Sequence, residues 1–393
     1  MKRYLCLFLS LTASFMLFAQ TAIEPTGSGT LRDPYQITTL ENLYWIAATD
    51  SEVPSPDSST RSNATYIQTN DINASATRTW FPDGQGGYYG WKPISSFYGL
   101  YNGKNNLIDS LYINRPEEDG VAFIADIDGT ISSLNLTNAD VTGKYIVAVM
   151  AGQCGYNSFS AIRFCSTTGK VTSRGTAGGL AASCMPSEIS YCYSKAEINV
   201  NGDRAGGLIG SNCGLNLRNC YSTGEINCTG SFKGGLIGEV LSEYNTENCF
   251  WDIESSGMSY SPIGIGKTTS EMKTQSIYTE WNFETVWRID SLSNEGYPYI
   301  LPQGLIEYQA PSAGDGTTGN PYVISNLKEL YWICAPEWEV PNPSISQRNT
   351  YNYLQACDIN ASDTYAWNYI TESYTTGWPC IGNERQPFKG TYN

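Results

Sequence analysis

TAGGLAASC (176–184), RAGGLIGSNC (204–213) and FKGGLIGEV (232–240) write one word three times, and its Gly-Gly-Leu core returns every 28 residues. A second word follows each copy: SYCYSKAEINVNG from 190, RNCYSTGEINCTG from 218 and the worn ENCFWDIESSG from 247. Looser copies precede them, VAVMAGQC (147–154) with FCSTTGKV (164–171), and before those DGVAFIAD (119–126) with LNLTNADVTG (134–143). A fixed period of this size means stacked units that bury their apolar faces against neighbours. The local texture is short runs rich in Tyr, Ile, Val, Thr and Cys, cut by Gly and Asn, which is strand and turn chemistry with no room for a helical stripe. The expected fold is therefore all-β: a right-handed parallel β-helix of ~28-residue coils, two or three strands each, rising by about 4.8 Å per coil.

In such a stack, residues one period apart lie above one another. Cys165, Cys192, Cys220 and Cys249 are spaced to form one ladder, and Cys154, Cys184 and Cys213 a second. Cysteine serves there either as a small core hydrophobe or in disulfides between or within coils, Cys184 with Cys192 for example; no CxxC spacing suggests a metal. Leu180, Leu208 and Leu236 are expected to face inward. The glycine pairs before them, Gly178 with Gly179, Gly206 with Gly207 and Gly234 with Gly235, lack Cβ and suit a tight corner.

These words resemble the GLUG-motif proteins, whose repeat reads Gly-Leu-hydrophobic-Gly, as in GGLIG at 206–210 and 234–238, followed by NCYSTG at 219–224. The likeness extends to an opening, GTLRDPYQITTLENLYWIA through YIQTNDINAS, YGWKPI and FYGLYNG (29–103), and to a closing run, FWDIESSG (250–257) through GYPYI (296–300). It departs at Ala181-Ala182, where Ile-Gly or Val-Gly is usual, and in the cysteine ladders. The resemblance implies bacterial surface or secreted proteins, including adhesins and the non-catalytic N-terminal part of immunoglobulin A-specific metalloproteases. It thus implies display or binding and no catalytic residues.

The opening occurs twice. Pro34, Tyr35 and Ile37 match Pro321, Tyr322 and Ile324, and Leu43-Tyr44-Trp45-Ile46 matches Leu330-Tyr331-Trp332-Ile333, all offset by 287. TTLENLYWIA reads as a short amphipathic helix, capped by Thr39, that covers the open edge of the first coil; Asn326 would cap its counterpart. The expected organisation is a signal segment at 1–20 and a first module at 21–303, with an opening cap (24–110), coils (111–250) and a closing cap (251–303). Residues 304–393 begin a second module, and the expectation is either that the polypeptide continues past Asn393 or that this second module is poorly ordered.

Composition excludes much chemistry. The chain of 393 residues has no histidine and carries 38 acidic against 23 basic side chains, a formal charge of −15. Ser-His-Asp and Cys-His relays and HExxH zinc sites are impossible, and the acidity argues against nucleic-acid partners. Lys2 and Arg3 before an apolar stretch ending at Ala19 have the layout of a secretory signal. After it no stretch approaches the ~20 apolar residues of a membrane helix. The mature chain is expected to be soluble, secreted or on the cell surface, without membrane insertion and without a cofactor.

The expected function is a non-catalytic adhesion scaffold for a host protein or glycan. The alternatives are a β-helix polysaccharide lyase or hydrolase, and the non-catalytic part of a larger secreted protease. For a lyase, Arg174, Arg204 or Lys233 would be the base, though each precedes a Gly-Gly corner where a solvated charge is normal. Asp126 and Asp128, before Gly129, read as a turn, and Glu117-Glu118-Asp119 as a solvated corner. Trp80, Tyr88, Tyr89 and Trp91 are the candidate ligand platform, because sugars and proteins dock on aromatic faces; the competing reading packs them against the first coils. Tyr365, Trp367, Tyr369, Tyr374 and Trp378 cluster similarly in the second module.

Overall fold

A computed structural model describes residues 20–242, 245–283, 286–302, 308–335, 340, 342–359, 361, 381 and 387–393. The signal segment and the second aromatic cluster lie outside them.

The core is a parallel β-helix. One full coil runs through strands Thr130–Ser132, Asn135–Thr142, Ile146–Ala148 and Ala151–Cys154 before the next begins at Ser160. Each strand pairs in parallel with its counterpart one coil on, which gives sheets of eight, eleven, four and six strands. The coil thus has four strands where two or three were expected, because the glycine word splits one side in two. Stacking also starts earlier than the expected boundary at 111: Thr65–Gln68 already pairs with Leu100–Asn102 and with Tyr35–Ile37. The opening is part of the stack.

Alternation decides what the stack buries, since every second side chain of a strand faces one way. Ile131, Ile162, Ile189 and Leu217 form one inward column. Ile113, Val141, Val171, Ile198 and Ile226 form a second. Ile124, Ala151, Ala181, Ile209 and Ile237 form a third. Leu180, Leu208 and Leu236 are fully buried at the bend between two sheets.

One corner is built from left-handed residues. Ser133, Phe164, Tyr191, Asn219 and Asn248 stand one per coil with φ between 51° and 54°. Asn tolerates this region, whereas a bulky aromatic residue there is strained. Phe164 and Tyr191 offset the strain by stacking, with ring centroids 4.7 Å apart and planes 2° from parallel.

At the N-terminal end lies the expected helix, Leu40–Ala47, capped by Thr39, whose side chain accepts from Asn42 N–H. Beneath it Arg61 is fully buried over the Trp45 ring, and its guanidinium donates to the Ala48, Val53 and Pro56 carbonyls. The second opening repeats this arrangement with helix Leu327–Cys334 capped by Asn326, and Arg348 over Trp332 donating to Ala335 O. The rings of Tyr66, Phe97 and Tyr101 have counterparts in Tyr353, Phe388 and Tyr392, which gather at similar distances.

The closing segment is more than an end cap. Ile265–Lys267 does extend one sheet past Phe250–Asp252, and Ser261 Oγ accepts from the Leu236 and Ile237 N–H groups at the last edge. From there the chain turns back along the outside of the stack. Met272, Tyr278, Trp281, Val286, Trp287 and Tyr297 pack over Phe164, Tyr191, Tyr193, Tyr221 and Phe250, which belong to successive coils. Trp281 Nε1 donates to Asn248 O (2.9 Å), Tyr221 Oη to Pro298 O (2.5 Å), and Lys195 Nζ pairs with Glu295 (2.8 Å). The reason is apolar area: Tyr193 and Tyr221, stacked 5.0 Å apart, point outward and need a cover.

Candidate binding surfaces

The Gly-Gly-Leu word makes a re-entrant bend. Among its six glycines none has a left-handed φ, so the need for glycine is space. A Cβ on Gly178 would lie 2.0 Å from Ala181 O, one on Gly206 1.9 Å from Ile209 O, and one on Gly234 2.1 Å from Ile237 O. Gly179, Gly207 and Gly235 are closed off in turn by Ser194, Ser222 and Trp251. Where a Cβ on Gly210 would sit, Thr176 Cγ2 comes within 2.7 Å, so the two strands fold toward each other on their outer side. The result is a shallow notch running along the stack.

One wall of the notch is a polar column, Ser96, Asp126, Gln153, Ser183, Ser211 and Glu239, each the strand partner of the next. The other carries Thr176, Arg204 and Phe232, again in register. Arg204 crosses the notch to pair with Glu239. Burial and then the neighbouring charge of Asp128 push the Asp126 carboxyl up.

The cysteines form columns with one correction. The sequence Cys165, Cys192, Cys220, Cys249 stacks as a continuous buried column, since the residues that follow each are strand partners. Cys154 partners Cys184, but the next rung is Asn212 and not Cys213. Cys213 stands five residues after Leu208, where Cys184 stands four after Leu180, so in an unchanged register of 28 it falls one place late. Asn212 then takes the inward place and accepts from Leu215 N–H, and Cys213 is left half-buried.

The aromatic platform is largely a piece of core. Trp91 is fully buried and Trp80 nearly so; they stack 6.1 Å apart between Tyr44 of the capping helix and Phe123. Trp91 Nε1 also donates to Phe123 O (3.1 Å). As a platform these two are corrected: their large apolar area closes the first coil. Only Tyr89 is exposed, with Tyr88 half-buried, and Arg115 lies 5.5 Å over the Tyr89 ring.

The nominated acids and bases have structural tasks. Arg174 donates to Pro116 O and Glu117, Arg204 is held by Glu239, and Lys233 donates to Cys228 O. Asp128 is 2 % exposed and accepts from the N–H groups of Asn157 (2.8 Å) and Ser158 (3.0 Å), which fixes the next corner. That corner displays Tyr156 and Phe159 to solvent, and the equivalent corners two coils earlier and three coils later expose Tyr98 and Leu241. On the adjacent face Glu188 bridges Arg163 (2.8 Å) and Arg218 (3.5 Å). Among the described residues no group of three or more Cys, Asp or Glu side chains is placed to hold a metal ion. No described helix is long and apolar enough to cross a membrane.

These features define a class, the parallel β-helix repeat proteins. No protein-family profile matches the chain. A solved structure from Bacteroides ovatus, described as a "putative immunoglobulin A1 protease", superposes with a TM-score of 0.52 over 71% of this chain and 95% of its own, at 18% identity. At that identity the likeness establishes the fold alone. Halomucin of Haloquadratum walsbyi is 35% identical over 172 residues, which is 41% of this chain and 2% of halomucin. The chain therefore spans a very small part of that relative's length.

Proposed function

We propose that the chain is an exported, non-enzymatic scaffold of the GLUG type that displays repeated coil faces for adhesion to a host protein or glycan. The observation that carries this reading is the deployment of its charged side chains. Arg174, Arg204 and Asp128 each tie one coil to another and Lys233 braces a turn within its own coil, while one wall of the notch carries a polar residue at each of six successive strands. A surface repeated along a stack suits a repeated or extended ligand, because each added contact after the first is intramolecular. The local identity to halomucin and the fold shared with the Bacteroides ovatus protein support a repeat protein exposed outside the cell.

The test is binding of the full chain to a glycan array and to host extracellular proteins, with turnover of polyuronides followed in parallel. Saturable binding without turnover supports the scaffold. A second reading, polysaccharide cleavage in the notch, is favoured by Asp126, which stands in that wall and whose carboxyl is raised by burial and by the charge of Asp128. Turnover abolished by Asp126→Asn would establish it and overturn the first.

A further inference from the structure

The two cysteine columns have a geometry that the scaffold reading does not use. Cys154 and Cys184 are direct partners on adjacent parallel strands and are fully buried. In the other column Cys165 N–H donates to Cys192 Sγ (3.4 Å) and Cys192 N–H to Cys220 Sγ (3.3 Å), and Cys249 stands one coil beyond Cys220. All six are free thiols in the structure. Neighbouring strands lie about 4.8 Å apart, within the roughly 4.4–6.8 Å that separates the Cα atoms of a disulfide.

We propose that these columns are sites of covalent stapling between coils, with disulfides Cys154–Cys184, Cys165–Cys192 and Cys220–Cys249. This partition uses every column thiol. Joining Cys192 to Cys220 instead would leave Cys165 and Cys249 with no partner in reach. The within-coil pair Cys184–Cys192 would take one cysteine from each column, leaving Cys154 without its strand partner and the other column with an odd number of thiols.

Formation rests on the exported reading, because disulfides persist in oxidising compartments. The step is thiol–disulfide exchange with oxidised glutathione or an oxidised thiol oxidoreductase. One column thiolate attacks the oxidant's disulfide, giving a mixed disulfide and one released thiolate. The neighbouring column thiolate then displaces the second half. Two column thiols become one disulfide, two electrons pass to the oxidant, and the two protons end on its two thiols. The finished columns are sealed from solvent, so exchange takes place while the coils are still closing.

The full chain is refolded from denaturant in reduced and oxidised glutathione, then alkylated under denaturing conditions and mapped by mass spectrometry without reduction. The expected result is three bonds in the named pairs, an intact mass about 6 Da below the reduced chain from two hydrogens per bond, and resistance to dithiothreitol until denaturant is added. Full alkylation of the six thiols, or a map joining Cys184 to Cys192 or Cys192 to Cys220, overturns the proposal. The same map on protein recovered from its native cell separates the two readings. Bonds in the refolded chain with none in the native one reject export and leave the stapling geometry standing.

Discussion

Replacing Gly206 by Ala tests the claim that the glycine word exists for close approach between coils. The new Cβ would fall 1.9 Å from Ile209 O and 2.6 Å from Gly238 N, where ordinary contacts begin at about 3.4 Å. Both obstacles are backbone atoms, one in the same coil and one in the next, and neither can rotate away. Relief requires a shift of more than about 1 Å in two hydrogen-bonded sheets, placing the loss at the upper end of overpacking, about 3 kcal/mol. Gly257→Ala is the control. Its φ is +68° and no atom lies within 4 Å of the added Cβ, so only the left-handed penalty of about 1–2 kcal/mol applies. Urea denaturation followed by circular dichroism reads both, with an unchanged m-value showing that the unfolding surface is the same. If Gly206→Ala is no more destabilising than Gly257→Ala, the steric argument fails for the whole bend.

Four further outcomes are expected. Leu208→Asp, which puts an unpaired carboxylate at a fully buried site, unfolds the coils around it at a cost on the order of 3–5 kcal/mol; unchanged circular dichroism and melting would refute the inward assignment. Trp91→Ala lowers stability by about 3–5 kcal/mol, whereas Tyr89→Ala changes it by less than about 1 kcal/mol, as thermal melts of both would reveal. Arg61→Lys retains the charge but loses the planar fork that serves three carbonyls, and should cost on the order of 2–3 kcal/mol by denaturant titration. Burial alone would raise the Glu188 carboxyl, but the hydrogen bonds and charge of Arg163, with Ser190 and Arg218, hold it below its ordinary value. Its contribution is therefore present above about pH 4.3, the unfolded value, and is lost as pH falls through the lower folded one; Glu188→Gln should flatten that part of the melting profile between about pH 5 and 2.

The stack was legible because its words recur. Gly-Gly-Leu at 178, 206 and 234 fixed the period, and the spacing of Cys165, Cys192, Cys220 and Cys249 placed a column before any strand was drawn. Cys213 was misplaced because the spacing was counted from cysteine to cysteine: counted from the leucine it stands five residues on where Cys184 stands four, and with side chains alternating along a strand that one residue gives the inward place to Asn212. The left-handed corner was half visible: Asn219 and Asn248 suit it, but Phe164 and Tyr191 hid the pattern because aromatic residues rarely adopt that backbone. Arg61 had a signal, its recurrence as Arg348 at the module offset of 287, which an isolated buried arginine would not have had. The platform failed for a different reason. Trp80 and Trp91 belong to an aperiodic loop, and composition does not tell an aromatic residue that covers a core from one that greets a ligand. The return of the closing segment along the stack was not legible either, because its aromatic residues have no period of their own and answer to Tyr193 and Tyr221, some sixty to a hundred residues earlier.

That closing segment changes how the stack would respond to tension. A bare solenoid pulled from its C-terminal end peels, each coil yielding in series under the full force. Here the chain near residue 298 is fastened to Tyr221, residue 295 to Lys195 and Trp281 to Asn248, so a pull reaches several coils at once and loads their contacts side by side in shear. The strap must slide off before the first coil can unzip, which makes the aromatic cover of Tyr193 and Tyr221 the mechanical clamp of the module.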